Sequence, residues 1–130
     1  MVSEIRTSAD YRIEFRANES YLYVRVEGLK DGAEISKKYW KALLDESRER
    51  NSSYLLVEVK LTDTMSAAEV YEIAKFVAET APDGTKIAYV DRRHYHQELN
   101  RFGNLVANNR GLNSRVFDSV DEAEIWLLAN

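Results

Sequence analysis

The sequence predicts a single-domain α/β fold, with a mixed five-stranded sheet in the order β-β-α-β-α-β-α-β-α and helices mainly on one face. Three observations predict it. A chain of 130 residues, 45% of them hydrophobic, holds one core and has no room for a second. Residues 11–27 alternate apolar with charged side chains in two runs. From residue 31 onward, stretches of three-to-four-residue apolar spacing trade places with short strand-like runs.

Tyr11, Ile13 and Phe15 alternate with Arg12, Glu14 and Arg16, and after Asn18 and Glu19 the alternation resumes with Leu22, Val24 and Val26. A hairpin with an even-length loop pairs Phe15 with Leu22 and Ile13 with Val24, keeping both apolar rows on one face, and Gly28 ends it. Across 31–50, Ile35, Tyr39, Trp40, Leu43 and Leu44 recur at helical spacing, with Asp31 and Glu34 as the N-terminal cap. Asn51, Ser52 and Ser53 stop this helix, and Leu55, Val57, Val59 and Leu61 form a third strand. Ser66 and Glu69 make a capping box for a second helix, whose stripe Val70, Ile73, Ala74 and Val77 faces the core.

A turn at Pro82-Asp83-Gly84 leads to residues 87–90, an apolar run without a polar break, as expected of a strand in the middle of the sheet. In the third helix Tyr95, Leu99, Phe102 and Val106 are predicted to line the buried side, and Gly111 to supply the left-handed residue that ends it. Arg115, Val116 and Phe117 form a brief fifth strand. Ser119 and Glu122 then cap a last helix that turns Ala123, Trp126 and Leu127 inward. Residues 1–10 lack any such pattern and read as an N-terminal extension that need not be ordered, ahead of a domain spanning 11–130. Three strands carry one apolar and one charged face, so part of the sheet is expected to be wet and open to a partner.

Composition excludes several chemistries. With no cysteine, thiolate metal sites, disulfides and cysteine nucleophiles are ruled out. Eighteen Lys and Arg against 22 Asp and Glu, a formal net charge of −4, argue against bulk attraction to nucleic acid. No apolar run approaches the ~20 residues of a membrane span. The first ten residues lack the charged and apolar regions of a secretory signal, so a cytoplasmic location is the expectation. None of the serine-hydrolase, phosphate-loop, dinucleotide or zinc-protease motifs occurs, so neither an enzyme nor a cofactor is expected.

Some residues still invite chemistry. His94 and His96, with Asp91, are the metal-site candidates. On a helix, positions two apart point about 200° from each other, so both imidazoles reach one ion only in an extended segment. Two surface histidines are the plainer reading, and a metal-dependent hydrolase is the enzymatic one. Arg92 and Arg93 follow the central strand near the carboxyl edge where open α/β sheets bind ligands, as candidates for an anion or acidic partner. A solvated turn is the plainer reading there. Phe76 and Tyr71 lie off the stripe of the second helix, either for association or as margins of the core.

The pattern resembles the SpoIIAA-like branch of the STAS superfamily, small domains grouped with Sec14-type (CRAL-TRIO) folds. The hairpin of 11–27 and the strands at 54–60 and 86–90 carry the resemblance. Most telling is Arg115-Val116-Phe117-Asp118 followed by Asp121-Glu122-Ala123-Glu124-Ile125-Trp126-Leu127. It implies a non-catalytic bacterial regulatory domain, like the anti-sigma-factor antagonists, acting through a protein partner. Those antagonists carry a phosphorylatable serine in the loop after the third strand. The corresponding loop here offers Thr62, Asp63, Thr64 and Ser66, without the Asp-Ser-Ser-Gly-like string. With Phe76 these residues form the candidate surface for partner binding or phosphorylation, although Ser66 reads more plainly as an N-cap worth ~1 kcal/mol. The Sec14 kinship implies an alternative, a module for a small apolar ligand or lipid, which requires a cavity. A homodimer is compatible with either.

Overall fold

The computed structural model describes residues 3–28, 32–62 and 64–129. Among these, one mixed sheet has six strands rather than five: β1 (Ser3–Thr7), β2 (Arg12–Ala17), β3 (Leu22–Gly28), β4 (Tyr54–Leu61), β5 (Lys86–Asp91) and β6 (Asn113–Phe117). They lie side by side in chain order, antiparallel from β1 to β3 and parallel from β3 to β6. The helices are α1 (Ala33–Glu49), α2 (Ala67–Thr80), α3 (Gln97–Asn109) and α4 (Val120–Leu128), and a 3-10 turn, His94–His96, precedes α3.

The additional strand lies within residues 1–10, the stretch read as an extension. β1 has only Ile5 as a large apolar residue, half-exposed, so no alternation announces it. Backbone pairing to β2 and a tether to α1 hold it instead: Arg6 reaches the buried carboxylate of Glu46, which Arg50 also binds at 2.5 Å. The hairpin register differs by two residues from the expected one. Phe15 pairs with Val24 and Ile13 with Val26 because a four-residue loop, braced by Asn18 Oδ1 accepting from the Ser20 and Tyr21 amides at 2.8 Å, closes on Ala17 and Leu22. An even shift preserves the face, so both apolar rows still point to the same side.

That side carries α1, α2 and α3. Ile13, Phe15, Val24, Val26, Val57, Val59 and Ile87 meet Tyr39, Trp40, Leu43 and Leu44 of α1 and the whole predicted stripe of α2, all buried. At the start of α1, the proposed Asp31 cap lies outside the described residues, and Gly32 occupies the N-cap without a side-chain bond. The α2 box is complete: Ser66 Oγ accepts from the Glu69 amide, and the Glu69 carboxylate accepts from the Ser66 amide at 3.0 Å. The same carboxylate accepts from the Ala33 amide at 3.1 Å, joining the heads of α1 and α2. These backbone donors hold the Glu69 carboxyl below its ordinary range.

On the opposite face α4 packs Ala123 and Leu127 onto Leu56, Ala88 and Val90. Lys86 Nζ ends α4 by donating to the Trp126 and Ala129 carbonyls at 2.9 and 3.1 Å. Away from α4 this face is charged. Glu14 pairs with Arg16 and Arg25 with Glu27, while the buried Glu58 accepts from the Tyr23 hydroxyl at 2.5 Å and meets Arg92 at 3.4 Å. Burial and then the Glu58 bond push the Tyr23 phenol above its ordinary value. Among the described residues no helix is long and apolar enough to cross a membrane.

Candidate functional site

β5 is apolar from Ile87 to Val90, where both of its faces are covered, and it ends by delivering a buried carboxylate, Asp91, to the carboxyl edge of the sheet. The chain then turns so that Arg93, His96 and Asn100 all reach back to it. Arg93 donates from its amide and Nε to Oδ1, at 3.1 and 3.0 Å, and from Nη2 to Oδ2 at 2.9 Å. Asn100 Nδ2 donates to Oδ2 at 2.9 Å, and His96 Nδ1 lies 3.4 Å from the same oxygen. Burial alone would raise the Asp91 carboxyl, but the bonds from His96, Arg93 and Asn100 outweigh it and hold the group well below the usual carboxylate range. Asp91 is therefore an anion matched by Arg93 within the protein.

His96 is 1% exposed. Its Nδ1 is also 3.0 Å from Asn100 Oδ1, while its Nε2 is buried without a hydrogen-bond partner among the described residues. The ring lines an apolar cavity of about 90 Å³ between α3 and the sheet, whose walls include Trp40, Ile73, Val77, Ile87 and Leu99. The cavity has a local cause. α3 turns Asn100, Gly103, Asn104 and Ala107 to this space, small or polar side chains that leave unfilled what larger apolar ones would occupy. Gly103 also fixes how close the helices sit, since a Cβ there would lie 2.9 Å from Val70 Cγ1 of α2. Beyond Asn100 and Val116, which border both spaces, a polar crevice of about 240 Å³ opens at the carboxyl ends of β5 and β6, with Arg101, Arg115 and Asp118 on its rim.

The expected inner side of the third helix is thus corrected. Leu99 and Val106 are partly buried against the core, but Tyr95 is 63% and Phe102 39% exposed, and the buried side is rotated by roughly one residue, about 100°. Tyr95 lies in the 3-10 turn, where its hydroxyl donates to the Thr62 carbonyl at 2.9 Å. Gly111 does end α3 with a positive φ of 93°, its amide donating to the Asn108 carbonyl.

Of the three metal candidates, Asp91 and His96 come together while His94 is exposed and apart from them, so the reading of two surface histidines fails for His96. No group of three or more His, Asp or Glu residues is placed to hold an ion among the described residues. The two arginines also part ways. Arg93 is engaged by Asp91 with its side chain 9% exposed, whereas Arg92 is exposed and leans toward Glu58. Thr62, Thr64 and Ser66 are exposed ahead of α2, Phe76 is half-buried against the core, and Asp63 lies outside the described residues. Asn100, Gly103, Asn104 and Ala107 were not singled out by sequence. Their signal was the i, i+3, i+4, i+7 spacing itself, obscured because the apolar Phe102 and Leu105 sit among them. No protein-family model matches this sequence, and a search of curated proteins finds no significant match.

Proposed function

We propose that the protein is a binding module for a small, mostly apolar molecule seated between α3 and the sheet. The single observation that carries this reading is the apolar cavity of about 90 Å³ beneath a helix that turns small and polar residues, together with Leu99, toward it. Cavities lined in this way accept apolar guests when large enough for them, and this one lies next to the carboxyl edge, where open α/β sheets hold ligands. Xenon, apolar and compact, is the first probe. Titration of the ¹⁵N-labelled protein should move amide signals around Gly103, Ala107 and Ile87, and a spectrum unchanged at saturating xenon would count against the site.

A second reading follows the STAS resemblance: a non-catalytic regulatory domain that meets a protein partner through the loop after β4 and through α2. What favours it is the exposed series Thr62, Thr64 and Ser66 at the head of α2, where Glu69 ties the start of α2 to α1. A phosphate on Ser66 would face the Glu69 carboxylate and loosen that tie by like-charge repulsion. Pull-downs with wild type, Ser66→Asp and Phe76→Ala test it, and identical partner sets in all three would remove this surface from consideration.

A further inference from the structure

The outer side of β1 is an open edge. Among the described residues β1 ends the sheet, and no strand lies beyond it. Such an edge offers a row of backbone donors and acceptors to another strand unless a proline, a bulge or a cover blunts it. β1 contains no proline and runs against β2 in unbroken register from Ser3 to Thr7. Arg6 steadies it from the α1 side, lying 5.3 Å from the Phe15 ring centre and reaching Glu46. The opposite edge differs, because Asn108 Nδ2 of α3 donates to the Ser114 carbonyl of β6 at 3.1 Å and a side chain already takes up a backbone acceptor there.

The charges on β1 select what can pair with it. In an antiparallel pair, directly opposed residues share one hydrogen-bonding role. Two copies of the same edge therefore meet about a twofold axis that passes through a single residue pair. An axis through Glu4 sets two carboxylates opposite each other, and one through Arg6 sets two guanidiniums opposite each other. Both arrangements repel. An axis through Ile5 places Glu4 opposite Arg6 at both ends of the seam. It also brings the half-exposed Ile5 side chain against its own copy, on the face away from α1. Each Arg6 already binds Glu4 of its own strand at 2.9 Å, so the four charges close into an alternating ring.

We propose that the outer edge of β1 pairs with the same edge of a second copy, antiparallel about Ile5, joining two sheets into one. Five residues a side make a short seam, so the association is weak and reversible, and an isologous contact closes at two copies.

The chain contains no cysteine, so one introduced thiol reports the register without background. Ile5→Cys places two thiols directly opposite, within the Cα separation that a disulfide spans. In Thr7→Cys, exposed on the same strand and face, the two stand about 14 Å apart, four residues at ~3.4 Å each. In a glutathione buffer at equal concentration, Ile5→Cys should form disulfide dimers about tenfold faster than Thr7→Cys, and adding Glu4→Lys should slow it about tenfold by opposing like charges. Sedimentation of wild-type protein at concentrations up to about 1 mM should show a dimer that added salt weakens. Equal rates for the two thiols, or a rate that Glu4→Lys leaves unchanged, would overturn pairing about Ile5. Wild-type protein that stays monomeric throughout the series would overturn a second copy as the occupant of this edge.

Discussion

α2 and α3 roof the same face of the sheet and do opposite things to it. α2 presses the apolar side chains of Val70, Ile73, Ala74 and Val77 into the core, where they form one wall of the cavity. α3 approaches α2 closely at Gly103 and then turns Asn100, Asn104 and Ala107 inward, while Leu105, 58% exposed, and Phe102 point away. Both helices are amphipathic. What separates them is the volume each offers to the sheet, because cores are packed to a density at which a missing side chain leaves a space. The space under α3 ends on the Asp91–His96–Asn100 cluster, so the less well-filled helix is also the one beside the buried polar network.

Substitutions sharpen this contrast, beginning with the network. Asp91→Ala removes the buried carboxylate that Arg93, His96 and Asn100 all reach and should cost about 3 kcal/mol in urea unfolding. A loss below about 1 kcal/mol would show that the network is not what closes the end of β5. The native carboxyl lies below its ordinary value of 3.8, so its contribution is fully present above that pH and declines as acid protonates it. Wild type should therefore lose stability on acidification below about pH 4 more steeply than Asp91→Ala does.

The two helices should next separate in matched truncations. Ile73→Ala on α2 removes a buried side chain and should cost about 3 kcal/mol, whereas Leu105→Ala on α3 should stay within about 0.5 kcal/mol of wild type. Comparable losses at both positions would mean that Leu105 packs inward rather than pointing away from the sheet. Gly103→Ala sets the clash with Val70 against the better helix propensity of alanine and should cost about 1 kcal/mol net. Combining it with Val70→Ala should recover the clash portion in a double-mutant cycle, and simple additivity would place the close approach elsewhere.

Much of this was legible in the sequence where pattern and burial coincide. The α2 stripe and capping box, the interior rather than edge position of 87–90 and the left-handed Gly111 are written in residue types whose physics is local. β1 was not legible, because an edge strand held by backbone pairing and by Arg6 reaching Glu46 needs no alternation. The α3 face was misread because apolar content drew the stripe toward Tyr95 and Phe102, although close packing against Val70 demands glycine on the side that turns in. The binding candidate was half visible. Asp91 and His96 were singled out for metal, but their meeting depends on a 3-10 turn that lets His96 reach back to the strand end, and the partnerless Nε2 is a property of the packed state.

The measurement that bears most directly on the cavity beneath α3 is a xenon titration of wild type and Ala107→Leu side by side, followed by ¹⁵N spectra. Ala107 is buried and lines the space, so leucine there should fill it. Saturable shifts around Gly103 and Ile87 are expected in wild type, and none in a folded Ala107→Leu protein. Shifts of the same size in both proteins, or in neither, would contradict a guest site under this helix.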